Sequence, residues 1–378
     1  MTIYFVAGEV SADNHGAALM RCLRELDSGL KFVGRGGRQM QEVAGEQFKN
    51  WIGEAAVLGL WEVLRKYGYF REQFHETLHE IRESKPDAVV LIDYPGFNLR
   101  LAHALRNQAA RQRIIYYISP QVWAWNHGRI KRMAHSIDLV LCIFPFETDF
   151  YSEAGLRALF VGHPMIERLR ARKIETERDP NLIGLFPGSR SREVRKMFPV
   201  MLETARELRK HNRNLRFEVA AASEQLAREM KPAIAGLDQS REQEAIQIKV
   251  DETSAIMQRA WAGIVASGSA TLEAAYFRLP FVLIYKVAWP TYLAARLVVK
   301  VKYLGMPNLL ADKEVVPEFI QHRAKPNAIV KTVQSLIENA NARERMISQF
   351  DAIVPKLGDS GASQRAARAI IEEIGRSI

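Results

Sequence analysis

The sequence predicts an α/β protein made of two Rossmann-like domains facing each other across a cleft, with a helical C-terminus. Short apolar runs alternate with longer helical patterns, the mark of mostly parallel sheets built from βαβ units. A polar, charged stretch from Arg168 to Pro180 interrupts this alternation, which then restarts. The chain of 378 residues is also long for a single core, since domains typically hold roughly 100–200 residues.

In the first half, strands are expected at Ile3–Ala7, Lys31–Val33, Ala88–Asp93, Ile114–Ile118, Leu139–Phe144 and Leu159–Val161. Helical periodicity lies between most of them, as with Phe74, Leu78 and Ile81 on one face. This makes residues 1–165 an N-terminal domain. Past the linker, further strands are expected at Leu182–Phe186, Arg216–Ala220, Ile246–Val250, Gly263–Ala266 and Phe281–Tyr285, giving a second domain over 166–345. From Pro326 the pattern is helical, and Gln364–Ile374 reads as one amphipathic helix. The segment 346–378 is expected to pack back on the N-terminal domain or on a partner subunit.

Composition excludes several classes. A hydrophobic fraction of 48% and a charged fraction of 25% describe a folded globular chain. Cys22 and Cys142 stand far apart with no CxxC, which argues against a disulfide framework or a thiolate metal site and favours a reducing compartment. The first apolar run meets Glu9 too soon for a signal peptide. The longest apolar stretch, Leu279–Leu310, is broken by Lys286, Arg296, Lys300 and Lys302, so no spanning helix is expected. A formal net charge of +10 attracts an anionic partner, whether nucleic acid, phosphate-bearing substrate or lipid surface.

In open α/β sheets ligands bind beyond the carboxyl ends of the strands, and four such turns stand out. Gly8-Glu9-Val10-Ser11-Ala12-Asp13 has small residues that let a ligand approach the backbone, although Ser11 or Asp13 could equally cap the following helix. Neither this turn nor Gly34-Arg35-Gly36-Gly37 has the G-x-G-x-x-G spacing of a nicotinamide or flavin enzyme. At Asp93-Tyr94-Pro95-Gly96-Phe97-Asn98 the aspartate is either a helix cap or a general base. Phe186-Pro187-Gly188-Ser189-Arg190 opens a helix whose N–H groups and dipole favour phosphate, with Arg190 as a planar fork; the alternative is a plain turn with a solvated arginine. The geometry recurs at Ser267-Gly268-Ser269-Ala270-Thr271-Leu272-Glu273, where Glu273 could accept ribose hydroxyls or simply sit in the first turn. No HExxH, Cys cluster or Asp-x-Asp pair is present, so metal-free chemistry without a cofactor is expected.

Two stretches read as lipid-facing. Val57, Leu60, Trp61 and Leu64 share a helical face beside Arg65, Lys66 and Arg71, and Trp289, Tyr292, Leu293, Leu297 and Val298 make a similar face beside Arg296, Lys300 and Lys302. Apolar stripes of this kind also arise as core. Trp123 and Trp125 could stack on a substrate or pack internally.

Taken in order, these segments resemble the bacterial lipid A disaccharide synthases, two-Rossmann glycosyltransferases of the GT-B kind. The resemblance is carried by Gly8–Asp13, Asp93–Asn98, Ser119–Trp125, Phe144-Pro145-Phe146-Glu147, Val161-Gly162-His163-Pro164, Leu185–Arg190, Ala266–Glu273 and Met306-Pro307-Asn308-Leu309-Leu310, and it covers most of the chain. The family turn usually has Gly where Ala12 stands, and some relatives carry a second acid at the position of Gly96, which leaves Asp93 as the one carboxylate of that motif. The resemblance implies inverting transfer of 2,3-diacylglucosamine from its UDP donor to the 6-hydroxyl of 2,3-diacylglucosamine 1-phosphate, giving a β-1,6 disaccharide and UDP. It implies Asp93 as base, and Glu9, Ser11, Gly188, Ser189, Arg190, Ser267, Gly268, Ser269, Ala270, Thr271, Glu273 and Asn308 on the UDP side. It also implies a cytoplasmic enzyme held peripherally on anionic lipid of the inner leaflet, and leaves a homodimer open. Two rivals differ in class. A UDP-sugar 2-epimerase would share the phosphate turns but act on water-soluble sugars, and a non-catalytic peripheral lipid-binding protein would leave those turns without purpose. No nucleic-acid motif appears.

Overall fold

The computed structural model describes residues 1–52, 67–107, 112–122, 128–237, 240–289, 292–293, 296 and 301–376. They form two compact units, Met1–Glu167 with Leu357–Ile378, and Arg168–Lys356. The division at 356/357 leaves the helix Ala340–Ile353 with the second unit and places the last helix, Ala362–Ile374, with the first. Of the stretch expected as linker, the first residues continue the helix Met165–Ala171, and the last already belong to a strand beginning at Asp179.

The first unit holds a seven-stranded sheet of β1 (Thr2–Ala7), β2 (Lys31–Gly36), β3 (Lys49–Asn50), β4 (Ala88–Ile92), β5 (Arg113–Tyr117), β6 (Leu139–Cys142) and β7 (Ala158–Phe160), in the order β3-β2-β1-β4-β5-β6-β7. All its neighbours pair in parallel. Parallel strands are covered on both faces, so each reads as a continuous apolar run whose alternate residues serve opposite cores. Phe5, Val90 and Ile92 pack in one core with Leu19, Met20 and Leu23 of the helix Val10–Leu26 and with Ala366 and Ile370 of the last helix. Tyr4, Val89 and Leu91 pack in the other with Ile81, Phe97 and Leu101. Each fully buried Leu, Ile or Phe contributes roughly 1.5–3 kcal/mol.

The second unit repeats the plan with β8 (Asp179–Phe186), β9 (Arg216–Ala221), β10 (Ile246–Val250), β11 (Ala260–Ala266), β12 (Phe281–Tyr285) and β13 (Glu318–Ile320), ordered β10-β9-β8-β11-β12-β13 and again parallel. Its longest helix, Ser191–His211, buries Val194, Met197, Met201, Ala205 and Leu208, a three-to-four spacing that puts one stripe on the sheet. The eleven strands expected from the apolar runs are all present, while the edge strands β3 and β13, two and three residues long, are too short to leave a periodic pattern. No helix among the described residues is long and apolar enough to cross a membrane.

Candidate active site

Strand order places the unusual turns. In both sheets the order reverses beside the first strand, between β1 and β4 in one unit and between β8 and β11 in the other. Adjacent connections leave in opposite directions at such a switch point and open a crevice beyond the strand ends, where α/β sheets bind their ligands. The turns after β1 and β4 are Gly8–Asp13 and Asp93–Asn98; those after β8 and β11 are Pro187–Arg190 and Ser267–Glu273.

Asp93 is held by its backbone. It and Tyr94 both have positive φ, 46° and 50°, a conformation that costs non-glycine residues of order 1–3 kcal/mol each and persists only where neighbours enforce it. The enforcing contacts are the Asp93 N–H to Tyr117 O at 3.0 Å, and donation to Asp93 O by the Tyr116 hydroxyl at 2.5 Å and by Asn98 Nδ2 at 2.8 Å. Gly8 belongs to the same device, because a Cβ there would lie 2.3 Å from the Tyr94 ring. The helix Pro95–Asn107 takes its first backbone bonds on Tyr94 O, from the Phe97 and Asn98 N–H groups. Asp93 is thus one residue too early to act as its cap. Instead Asp93 lines a cavity of about 270 Å³ with Pro95, Ser119, Gln121, Arg129 and Phe144. Burial pushes this carboxyl up to about 6, and the neighbouring Glu9 carboxylate adds to the rise. An acid poised near neutrality in a cavity is what general-base chemistry requires.

The rest of the first turn divides. Asp13 caps a helix, but not its own: its carboxylate accepts the N–H groups of Gly37, Gln39 and Met40, each at 2.9 Å, at the start of the helix Arg38–Ala44. Glu9 and Ser11 are exposed in the first unit, with Glu9 close enough to raise both Asp93 and Tyr94. Two other motifs are architectural here. Glu147 is buried and accepts the Ile143 and Phe144 N–H groups. The Val161–Pro164 segment receives the last helix, through Arg365 Nε to Val161 O at 2.7 Å and the His163 N–H to Leu357 O at 2.8 Å.

In the second unit Gly188 takes φ +113°, and Arg190 stands exposed before the helix Ser191–His211. Glu193 folds back on this turn, accepting the Ser189 N–H at 3.1 Å and approaching Arg190 Nη1 at 3.4 Å. Burial raises the hydroxyl of Tyr285, at the end of β12, with Glu193 adding and Arg190 opposing. In the turn after β11, Ser267, Gly268, Ser269 and Ala270 are half-buried or exposed, whereas the buried Thr271 spends its hydroxyl on Gly268 O at 2.7 Å. Glu273 is buried and paired with Arg168 at 2.5 Å; burial nevertheless raises its carboxyl, against the pull of Arg168 and Arg172.

Asn308 departs from the expectation of a direct contact. It is fully buried and its amide is saturated: Nδ2 donates to Val316 O and Glu318 Oε1, each at 2.8 Å, and Oδ1 accepts the Val315 and Val316 N–H groups at 2.7 and 2.8 Å. Glu318 also accepts the Leu304 and Gly305 N–H groups. Together they shape the loop leading to β13, a role for which Glu318 gave no sequence signal. Tyr116 was equally silent, since a hydroxyl that supports a neighbour's backbone looks like any core polar group.

Val57, Leu60, Trp61, Leu64, Leu297 and Val298 lie outside the described residues, as do Trp123 and Trp125. Of the second stretch expected to face lipid, Trp289 and Leu293 are 57% and 58% exposed, and Tyr292 packs edge-on to Trp289 at 5.9 Å. No group of three or more His, Cys, Asp or Glu among the described residues could hold a metal ion.

Known proteins resemble the chain over nearly its whole length. The profile of a family described as lipid-A-disaccharide synthetase matches residues 3–370. A lipid-A-disaccharide synthase of Geobacter sulfurreducens is 37% identical over 386 aligned positions, covering 100% of this chain and 98% of that protein. One from Coxiella burnetii is 33% identical, covering 98% and 97%. Among solved structures, Acinetobacter baumannii MurG aligns with a TM-score of 0.57 at 13% identity, covering 98% of this chain and 99% of that one. A Neisseria meningitidis UDP-GlcNAc 2-epimerase bound to UDP-GlcNAc aligns at 0.61 and 10%, covering 98% and 99%. These two share the fold.

Proposed function

Because the chain belongs to the lipid-A-disaccharide synthetase family, we propose that Asp93 is the base of an inverting glycosyl transfer from a UDP-sugar to a lipid-linked sugar acceptor. The chain is a UDP-sugar glycosyltransferase. Its donor is UDP-2,3-diacylglucosamine and its acceptor 2,3-diacylglucosamine 1-phosphate. The acceptor 6-oxygen attacks the anomeric carbon as the bond from that carbon to the UDP phosphate breaks; the hydroxyl proton passes to Asp93 and UDP departs, leaving a β-1,6 linkage. The observation that carries this reading is Asp93, its carboxyl raised to about 6, in a cavity beyond the ends of β4, β5 and β6.

Charge developing on the leaving pyrophosphate is met in the second unit by the Ser189 N–H, the helix dipole behind it and the fork of Arg190. The pyrophosphate takes the Ser189 N–H by displacing Glu193. Ser267–Ala270 supply a second helix start, and Glu273 meets the ribose hydroxyls. Thr271 acts by holding its own turn in shape, and Asn308 by shaping the loop that leads to β13. Exposed Trp289 and Leu293 support peripheral attachment to the anionic inner face of the cytoplasmic membrane, where both lipid substrates reside. Purified protein mixed with the two substrates should yield disaccharide 1-phosphate and UDP by mass spectrometry. Absence of disaccharide, together with 2-epimerisation of UDP-N-acetylglucosamine, would establish the epimerase reading instead.

A further inference from the structure

Residues 95–137 contain no Asp or Glu but seven Lys and Arg, the largest local imbalance in a chain whose net charge is +10. The fold gathers part of that charge into one groove. The helices Pro95–Asn107 and Gly128–Ser136 pack side by side and leave between them a cavity of about 300 Å³, rimmed by Arg100, His103, Arg129 and Arg132 and floored by Leu99 and Met133. Arg100 and Arg132 are exposed, and neither has an ion-pair partner among the described residues. Arg106 and Arg113, from the same run, are instead consumed by Asp138 and Glu373. This groove adjoins the Asp93 cavity, with Pro95 and Arg129 lining both.

From this juxtaposition we infer that the groove binds the phosphate monoester of the acceptor while the acceptor's 6-hydroxyl lies at Asp93. The inference rests on the functional reading above. In a glucosamine 1-phosphate the phosphate-bearing carbon and the carbon carrying the 6-hydroxymethyl group flank the ring oxygen. A site for this acceptor therefore needs a base and an anion pocket as near neighbours but separate. Two neighbouring cavities that share Pro95 and Arg129 in their walls provide that arrangement. Arginine forks match phosphate oxygens in pairs, and neither helix carries a carboxylate to compete for Arg100 or Arg132. A lipid headgroup offers similar phosphate chemistry, but this groove is concave and shares Pro95 and Arg129 with the Asp93 cavity, which favours the acceptor.

The test uses the full chain in detergent micelles with two acceptors, 2,3-diacylglucosamine 1-phosphate and its analogue bearing a free 1-hydroxyl. The double variant Arg100→Ala with Arg132→Ala should raise KM for the phosphorylated acceptor roughly ten- to a hundredfold, the effect of losing charge-assisted hydrogen bonds. KM for the 1-hydroxyl analogue, UDP affinity and the thermal melt should stay at wild-type values. Equal losses on the two acceptors, or none on either, would overturn the inference. So would unchanged KM in micelles accompanied by lost binding to phosphatidylglycerol vesicles, which would make the groove a headgroup site. Direct titration of both acceptors reads the same difference without turnover, so failure of the groove is distinguishable from failure of the proposed reaction.

Discussion

Replacing Asp93 with Asn separates the base from every structural role. Asn keeps the shape and tolerates the left-handed backbone at this position as Asp does. The carboxyl is raised from 3.8 to about 6, and at 1.36 kcal/mol per unit the cost of holding it ionised in the fold is about 3 kcal/mol. Solvent in the cavity reduces this, so the figure is an upper bound. The sign follows from linkage: a folded value above the unfolded one gives stability that is complete below about pH 4 and lost as pH rises through about 6. Asp93→Asn, neutral throughout, should therefore melt several degrees above wild type at pH 8, a gain that vanishes toward pH 4. Turnover should fall roughly 10²–10⁴-fold with UDP affinity intact. Wild-type turnover should rise with pH along a limb near 6, as the base ionises. The assays are melts at pH 4 and 8, a UDP titration and a pH–rate profile. Turnover above about a tenth of wild type, or a melt at pH 8 no higher than wild type, would refute the argument.

Glu9→Gln removes a negative charge that raises Asp93, so the acidic limb of the pH–rate profile should move to lower pH with the plateau retained; an unmoved limb would detach Glu9 from the site. Arg190→Ala should weaken UDP binding on the order of ten- to a hundredfold while leaving acceptor KM unchanged, and Arg190→Lys should restore little because an ammonium has no fork. Equal UDP affinity in calorimetric titrations of wild type and Arg190→Ala would remove that arginine from the donor site. Trp289→Ser combined with Leu293→Ser should reduce the binding to anionic vesicles that survives 1 M salt, where the Debye length is about 3 Å and surface charge no longer acts. Salt-resistant binding equal to wild type in a flotation assay would make those exposed side chains ordinary surface.

The sequence by itself determined the repeated βαβ plan, because strands buried on both faces must be continuous apolar runs, and eleven of them were legible. It also placed the turns that matter, since glycines, serines and a lone aspartate after a strand are visible in one dimension. Only the tertiary structure decided what those residues do. Asp93 and Asp13 are both acids near helix starts, yet one lies in a cavity beside Glu9, while the other spends its carboxylate on Gly37, Gln39 and Met40, a long way off in sequence. Asn308 reads as a ligand contact and proves to be a saturated strut. The cationic groove was present in the sequence only as an acid-free run; that Arg100 and Arg132 share one cavity while Arg106 and Arg113 are neutralised elsewhere follows from how two helices pack. Backbone pattern is fixed by near neighbours, which a sequence lists in order. The state of a charge is set by what surrounds it in space, and those partners come from distant parts of the chain.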